Sequence, residues 1–158
     1  MKMVIARYGF QCHTGAMPYD DEVFEELSAA ESLKLLESQT FGRLVVRRKD
    51  DMDLFPLNYV VHEGNIYFRS AEGSKLFSVQ LNPEVLFEGD YANFEAGEAW
   101  SVIVKGRAEV LKSNAEIAEA DSLPLKPWLP TLKYNYVRIV PEHISGRTFN
   151  LGEEPERY

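Results

Sequence analysis

Residues 69–75, Arg-Ser-Ala-Glu-Gly-Ser-Lys, set an arginine, two hydroxyls, a glycine and a lysine within one short stretch. Gly73-Ser74-Lys75 stands where a short helix is expected to open, and Arg69-Ser70 ends the strand before it. A helix start exposes backbone N–H groups and the positive end of the helix dipole, and an ammonium beside it further favours a dianion. The chemistry that suits these residues is capture of a phosphate. Ser70, Ser74 and Lys75 are the candidate ligands. Arg69 either clamps the phosphate through its two-pronged guanidinium or pairs with Glu72. Each residue also has an ordinary reading as a solvated lysine, a helix cap or a strand-end hydroxyl.

Other reactive residues form no recognisable constellation. His13, His62 and His143 are scattered and show no metal-ligand spacing. His62 borders a hairpin turn and is expected to be exposed. Cys12 and His13 are neighbours, and neighbours on an extended chain point apart, so they make no catalytic dyad. There is no Ser-His-Asp order, Walker loop or dinucleotide Gly-x-Gly-x-x-Gly. That argues against NAD held on a Rossmann domain, but not against NAD(P)H as a diffusing reductant.

The elements that must position the phosphate site are mostly strands. Ser28-Ala-Ala-Glu31 is a capping box ahead of Leu33, Leu35 and Leu36, and predicts a helix over about 29–39. Strands are expected at 42–48, 54–62, 66–70, 84–90, 99–111 and 134–140. Glu63-Gly64-Asn65 reads as a tight hairpin turn. Pro56, lacking an N–H, places its strand at an edge or bulge. Gly106 marks a bulge in the long strand. Short helices are expected at 73–80 and 114–123. Pro124 to Pro130, around Trp128, reads as a rigid irregular segment. The fold class is mainly β: about six strands at hairpin spacing, without a βαβ rhythm, predict an antiparallel barrel decorated by three short helices.

Length and composition fit one domain. The chain has 158 residues, 45% of them apolar, enough for a real core. Residues 1–25 are expected to form an irregular arm, 26–150 the barrel domain and 151–158 a flexible tail. A net charge of −8 disfavours a nucleic-acid partner, since phosphate backbones need a basic surface. Arg43, Arg47, Arg48 and Lys49, with Lys105 and Arg107, read either as solvated strand faces or as cations facing an anionic ligand. No apolar run approaches the ~20 residues needed to span a bilayer, so no membrane role is expected. The first residues have too short an apolar core for a signal peptide. A single cysteine excludes an internal disulfide and fits a cytoplasmic location.

Five stretches, in order and at fitting spacings, resemble the pyridoxamine 5′-phosphate oxidase-like flavoproteins, the FMN-binding split barrels. They are Leu35-Leu-Glu-Ser-Gln-Thr-Phe-Gly-Arg-Leu, Phe55-Pro-Leu-Asn-Tyr-Val-Val, Phe68-Arg-Ser-Ala-Glu-Gly-Ser-Lys-Leu, Trp100-Ser-Val-Ile-Val-Lys-Gly-Arg-Ala-Glu and Ile144-Ser-Gly-Arg-Thr-Phe. The closer likeness is to the small bacterial branch that includes the nitroimidazole-resistance proteins. The resemblance implies a homodimer with FMN at the subunit interface, its phosphate at Ser70, Ser74 and Lys75. It implies that Pro56, Leu57, Asn58 and Tyr59 run past the flavin ring, and that Trp100 and Ser101 belong to the flavin wall. The arginine- and histidine-bearing substrate set of the vitamin B6 oxidases has no counterpart that can be placed here. The implied activity is flavin-dependent transfer from NAD(P)H to a small organic acceptor such as a nitroaromatic or a quinone. A non-catalytic flavin store or sensor, and the same fold holding a deazaflavin or haem, are the rival readings.

Overall fold

The computed structural model describes residues 23–125, 135–154 and 156. The expected N-terminal arm therefore lies, except for its last three residues, outside the described residues, as does the Trp128 segment. The elements in chain order are β1 (Phe24–Leu27), α1 (Ala29–Glu37), β2 (Phe41–Arg48), β3 (Asp51–Asn58), β4 (Val60–His62), β5 (Asn65–Ser70), α2 (Ser74–Leu81), β6 (Glu84–Asn93), β7 (Glu98–Val110), α3 (Asn114–Asp121) and β8 (Asn135–Asn150).

All strand pairs are antiparallel, and the sheet order is β3-β2-β6-β7-β8-β5-β4, with β1 added to the far half of β8. The two edge strands, β3 and β4, are consecutive in the chain and separated only by Tyr59. The sheet must therefore curl until its edges meet, which makes it a split barrel with its seam at β3 and β4. Inward positions alternate along each strand, as a one-sided core requires. Leu44, Ile66, Phe68, Phe87, Val102, Val104, Val137 and Ile139 are all sealed from solvent.

The strand expected over 54–62 is thus two strands at opposite edges. Tyr59 makes the crossing: its N–H donates to the Thr40 carbonyl at 3.0 Å and its hydroxyl to the Leu36 carbonyl at 2.7 Å. Its ring meets Phe87 edge-on, with centroids 4.9 Å apart. Pro56 does lie on an edge strand, since β3 pairs only with β2. Gly106 sits where the β7–β8 register shifts, and a side chain there would collide with the Val140 carbonyl. The bulge is confirmed.

Among the described residues there are eight strands, where six were expected. β8 does not stop near 140 but runs on to Asn150, because β7 and then β1 pair with its second half, Phe24 lying opposite Phe149. The helices close the barrel. α1 inserts Leu36, and Gly146 has no room for a side chain beside the Ser32 hydroxyl. α2 inserts Leu76 and Val79. α3 packs on the outside over a second small core of Tyr67, Leu111, Ala120, Leu125 and Tyr136. Among the described residues no helix is long and apolar enough to cross a membrane.

Candidate functional site

The three helix starts differ in how their backbone donors are met. The first four N–H groups of any helix lack an intrahelical acceptor. In α1 the Ser28 hydroxyl accepts from the Glu31 N–H at 3.2 Å, and the Glu31 carboxylate accepts from the Ser28 N–H at 2.9 Å. In α3 the Ser113 hydroxyl accepts from the Glu116 N–H at 3.4 Å. Both first turns also hold an acid. α2 opens instead on Gly73, with φ 151° and ψ −167°, and receives no side-chain cap. No acid stands in its first turn. Lys75 does.

Lys75 lies across the seam of the barrel. Its ammonium stands 5.4 Å from the ring centre of Phe55 on β3 and 6.0 Å from that of Phe68 on β5. The aromatic faces offer the cation partial negative charge, which offsets its unfavourable place at a positive helix end. Ser70, at the end of β5, is buried and donates to the Ala71 carbonyl at 3.1 Å, in the turn that leads to Gly73. Arg69 spreads its guanidinium over the Tyr136 ring at 5.3 Å. Burial, more than the hydrogen bond to Asp121, raises the Tyr136 phenol above its usual range, and Arg69 opposes the shift. Glu72, the alternative partner considered for Arg69, accepts from Asn135 at 3.5 Å. The side chain of Ser74 falls outside the described residues.

The remaining expected site residues divide by face. On β3, Pro56 and Asn58 point outward opposite Arg43 and Phe41, while Leu57 is buried and Tyr59 beyond it is in the core. Burial first, then the charges of Glu88 and Asp90, raise the Tyr59 phenol far above its ordinary value. It is a structural hydrogen-bond donor, not an acid at physiological pH. Trp100 faces inward on β7 and Ser101 outward, in register with Asp90 and Arg147. Val104 is the β7 residue level with Phe55, through Leu44 and Phe87. Trp100 lies four residues before it, roughly 13 Å along the strand, with β2 and β6 between β7 and the seam. The structure thus brings Lys75 to Phe55 and Phe68, sets Ser70 just before the helix start, turns Arg69 to the other face of β5 over Tyr136, and carries Trp100 and Ser101 on β7, with β2 and β6 between them and β3.

The outer face of β3, β2, β6 and β7 sets exposed apolar residues among charged ones. Leu54, Val45, Leu86 and Lys105 form one row, and Pro56, Arg43, Glu88 and Ile103 the next. Arg43 bridges Glu88 at 2.9 Å and Asp90 at 3.2 Å. Arg48 pairs with Asp53 at 3.1 Å. Of the basic run, these two are thus held by acids of the sheet itself.

The sequence profile of the family described as pyridoxamine 5′-phosphate oxidase matches residues 28–148. The chain belongs to that family. The match runs from the α1 cap to nearly the end of β8, so it includes every expected site residue. Among solved structures, a Corynebacterium glutamicum protein provisionally assigned as a pyridoxamine 5′-phosphate oxidase is 56% identical. That likeness covers 85% of this chain and 98% of the other, with a TM-score of 0.77. The FAD binding protein from Mycobacterium smegmatis is 40% identical over 80% of this chain and 98% of its own, with a TM-score of 0.68. A Mycobacterium tuberculosis relative, the uncharacterized protein Rv3129, is 47% identical over 98 residues, which span 62% of this chain and 87% of the relative.

One cluster within this family member was not visible in the sequence. His62 is neither isolated nor fully exposed: its Nε2 lies 3.0 Å from Glu119 on α3 and 3.9 Å from Glu63. Fifty-seven positions separate His62 from Glu119, and no local spacing signals their meeting.

Proposed function

We propose that this member of the pyridoxamine 5′-phosphate oxidase family is a flavoprotein that anchors the flavin phosphate at the start of α2. The observation that supports it most is the contrast among the helix starts: two are capped by their own side chains, and the third offers uncapped donors beside a lysine. Ser70 and Ser74 lie beside that start in the chain. Gly73 fits the role, because a Cβ there would meet nothing within 4 Å yet the φ of 151° favours glycine. The open space beside Gly73 leaves room for a ligand. The similar Mycobacterium smegmatis protein binds FAD; FMN carries the same phosphate without the adenylate, and is the flavin we propose here.

We further propose a homodimer closed over the outer sheet face. Leu54 and Ile103 are 57% and 38% exposed there, beside Val45 and Leu86, an apolar face that a second copy would cover. A second copy would also bring the outward-facing Ser101 of its own β7 toward the seam, with Pro56, Leu57 and Asn58 running between. The bound flavin would supply two-electron redox chemistry, from NAD(P)H to a small organic acceptor of the nitroaromatic or quinone class. The chain's own residues bind the phosphate, orient the ring and exclude water.

The test is direct. Purified protein should show flavin absorbance, and the released cofactor should have the mass of FMN. Rapid NAD(P)H oxidation with a nitroaromatic or quinone acceptor would support the oxidoreductase; flavin bound without turnover would make the protein a flavin carrier. A haem or deazaflavin spectrum, or no chromophore and no flavin uptake, would overturn the flavin assignment.

A further inference from the structure

Outside the proposed flavin site, His62, Glu63 and Glu119 place one imidazole nitrogen and two carboxylates within 4.8 Å of one another. The separations from His62 Nε2, 3.0 Å to Glu119 and 3.9 Å to Glu63, bracket the roughly 3.3 Å between ligands on a tetrahedral Zn²⁺ with bonds of ~2.0–2.1 Å.

The backbone fixes all three positions. His62 pairs with Asn65 across the β4–β5 hairpin. Glu63 and Gly64 form its two-residue turn, with φ of 50° and 77°. Glu119 stands on α3, which the Tyr67, Ala120, Ile117 and Val60 contacts fasten to the same hairpin. The His62 ring is steadied edge-on by Tyr67, with centroids 6.0 Å apart. Arg138, the cation beside α3, is engaged by Glu109 at 2.8 Å and Glu116 at 3.2 Å, acids distinct from this set.

We propose that His62, Glu63 and Glu119 bind a first-row divalent cation, with Zn²⁺ the best fit, clipping the β4–β5 hairpin to α3. An imidazole among carboxylates favours Zn²⁺ over Mg²⁺ or Ca²⁺, which prefer all-oxygen shells. Three protein ligands leave a fourth position to water. β4 is an edge of the split sheet, so the clip would brace the barrel beside its seam.

Tag-free full-length protein, with whatever flavin it retains, should be titrated with Zn²⁺ while the imidazole nitrogen signals of His13, His62 and His143 are followed by NMR. His62→Ala identifies one signal by its loss. The expected result is a shift of the His62 signal, complete at one equivalent in the micromolar range and absent with Mg²⁺. Glu119→Gln, which preserves fold and volume, should weaken Zn²⁺ by about tenfold or more. An unmoved His62 signal up to millimolar Zn²⁺, or Zn²⁺ taken up at His13 or His143 while His62 stays still, would overturn the proposal and leave a plain His62–Glu119 ion pair.

Discussion

Helices α1 and α2 are nearly the same length and plug the same barrel, yet they begin in opposite ways. α1 is self-sufficient: Ser28 and Glu31 satisfy each other's backbone donors, and the acid complements the dipole. α2 has glycine at the cap where α1 has serine, leucine where α1 has the capping glutamate, and a lysine one position earlier. The first arrangement stabilises the fold and asks nothing of a partner. The second has no side-chain cap and sets a lysine in its first turn, at the unfavourable end of the dipole. We propose that the first start serves the fold and the second a ligand.

The sharpest way to break the comparison is to put an acid into the first turn of α2, where α1 and α3 have one. Lys75→Glu should lower flavin-phosphate affinity by more than ~100-fold, since it removes a charge-assisted contact and adds repulsion. The flavin-free protein should stay within ~1 kcal/mol of wild type, because the acid suits the helix end while the ring contacts are lost. Titration of FMN together with thermal unfolding of the apoprotein reads both quantities. A large loss of apoprotein stability would mean that Lys75 serves the seam.

The reciprocal change acts on α1. Ser28→Ala should cost about 1 kcal/mol of stability and leave flavin affinity at the wild-type value. Denaturant unfolding and the same flavin titration check it; a fall in affinity would show the two helix starts to be coupled.

A smaller effect comes from the outer face. Burial first, then the hydrogen bond with Asp90, raise the Glu88 carboxyl, and Arg43 opposes the shift. A carboxyl raised in the fold holds its proton more tightly than in the unfolded chain. Its charge therefore lowers stability near neutrality, and that penalty fades as pH falls through the folded value. Glu88→Gln keeps an acceptor for Arg43 but cannot titrate. Thermal midpoints at about pH 5 and about pH 7 should lie closer together in the variant than in wild type. A midpoint lowered equally at both pH values would show that the Arg43 contact outweighs burial.

What the sequence disclosed was local. The Ser28–Glu31 capping box, the Glu63-Gly64 turn and the Gly106 bulge are each written in residues a few positions apart, and each is found in the structure. The division of 54–62 at Tyr59 was hidden, because both halves are apolar and β-prone and only closure of the sheet sends them to opposite edges. The second half of β8 was hidden too: Pro141, Glu142 and His143 look like a tail until β7 and β1 pair beyond them. The same holds for the site. Gly73-Ser74-Lys75 was legible as a helix start, but the seating of Lys75 over Phe55 and Phe68 depends on a seam between strands distant in sequence. His62 and Glu119 meet only because α3 folds back over the hairpin.

The central claim is that the start of α2 holds a phosphate, and one paired titration addresses it. FMN and riboflavin, which differ by that phosphate, are titrated against wild type and Lys75→Ala by fluorescence quenching at fixed salt. A charge-assisted contact is worth roughly 1.5–3 kcal/mol, so FMN affinity should fall about ten- to a hundredfold while riboflavin affinity stays nearly constant. Equal weakening of both flavins, or weakening of neither, would contradict the account.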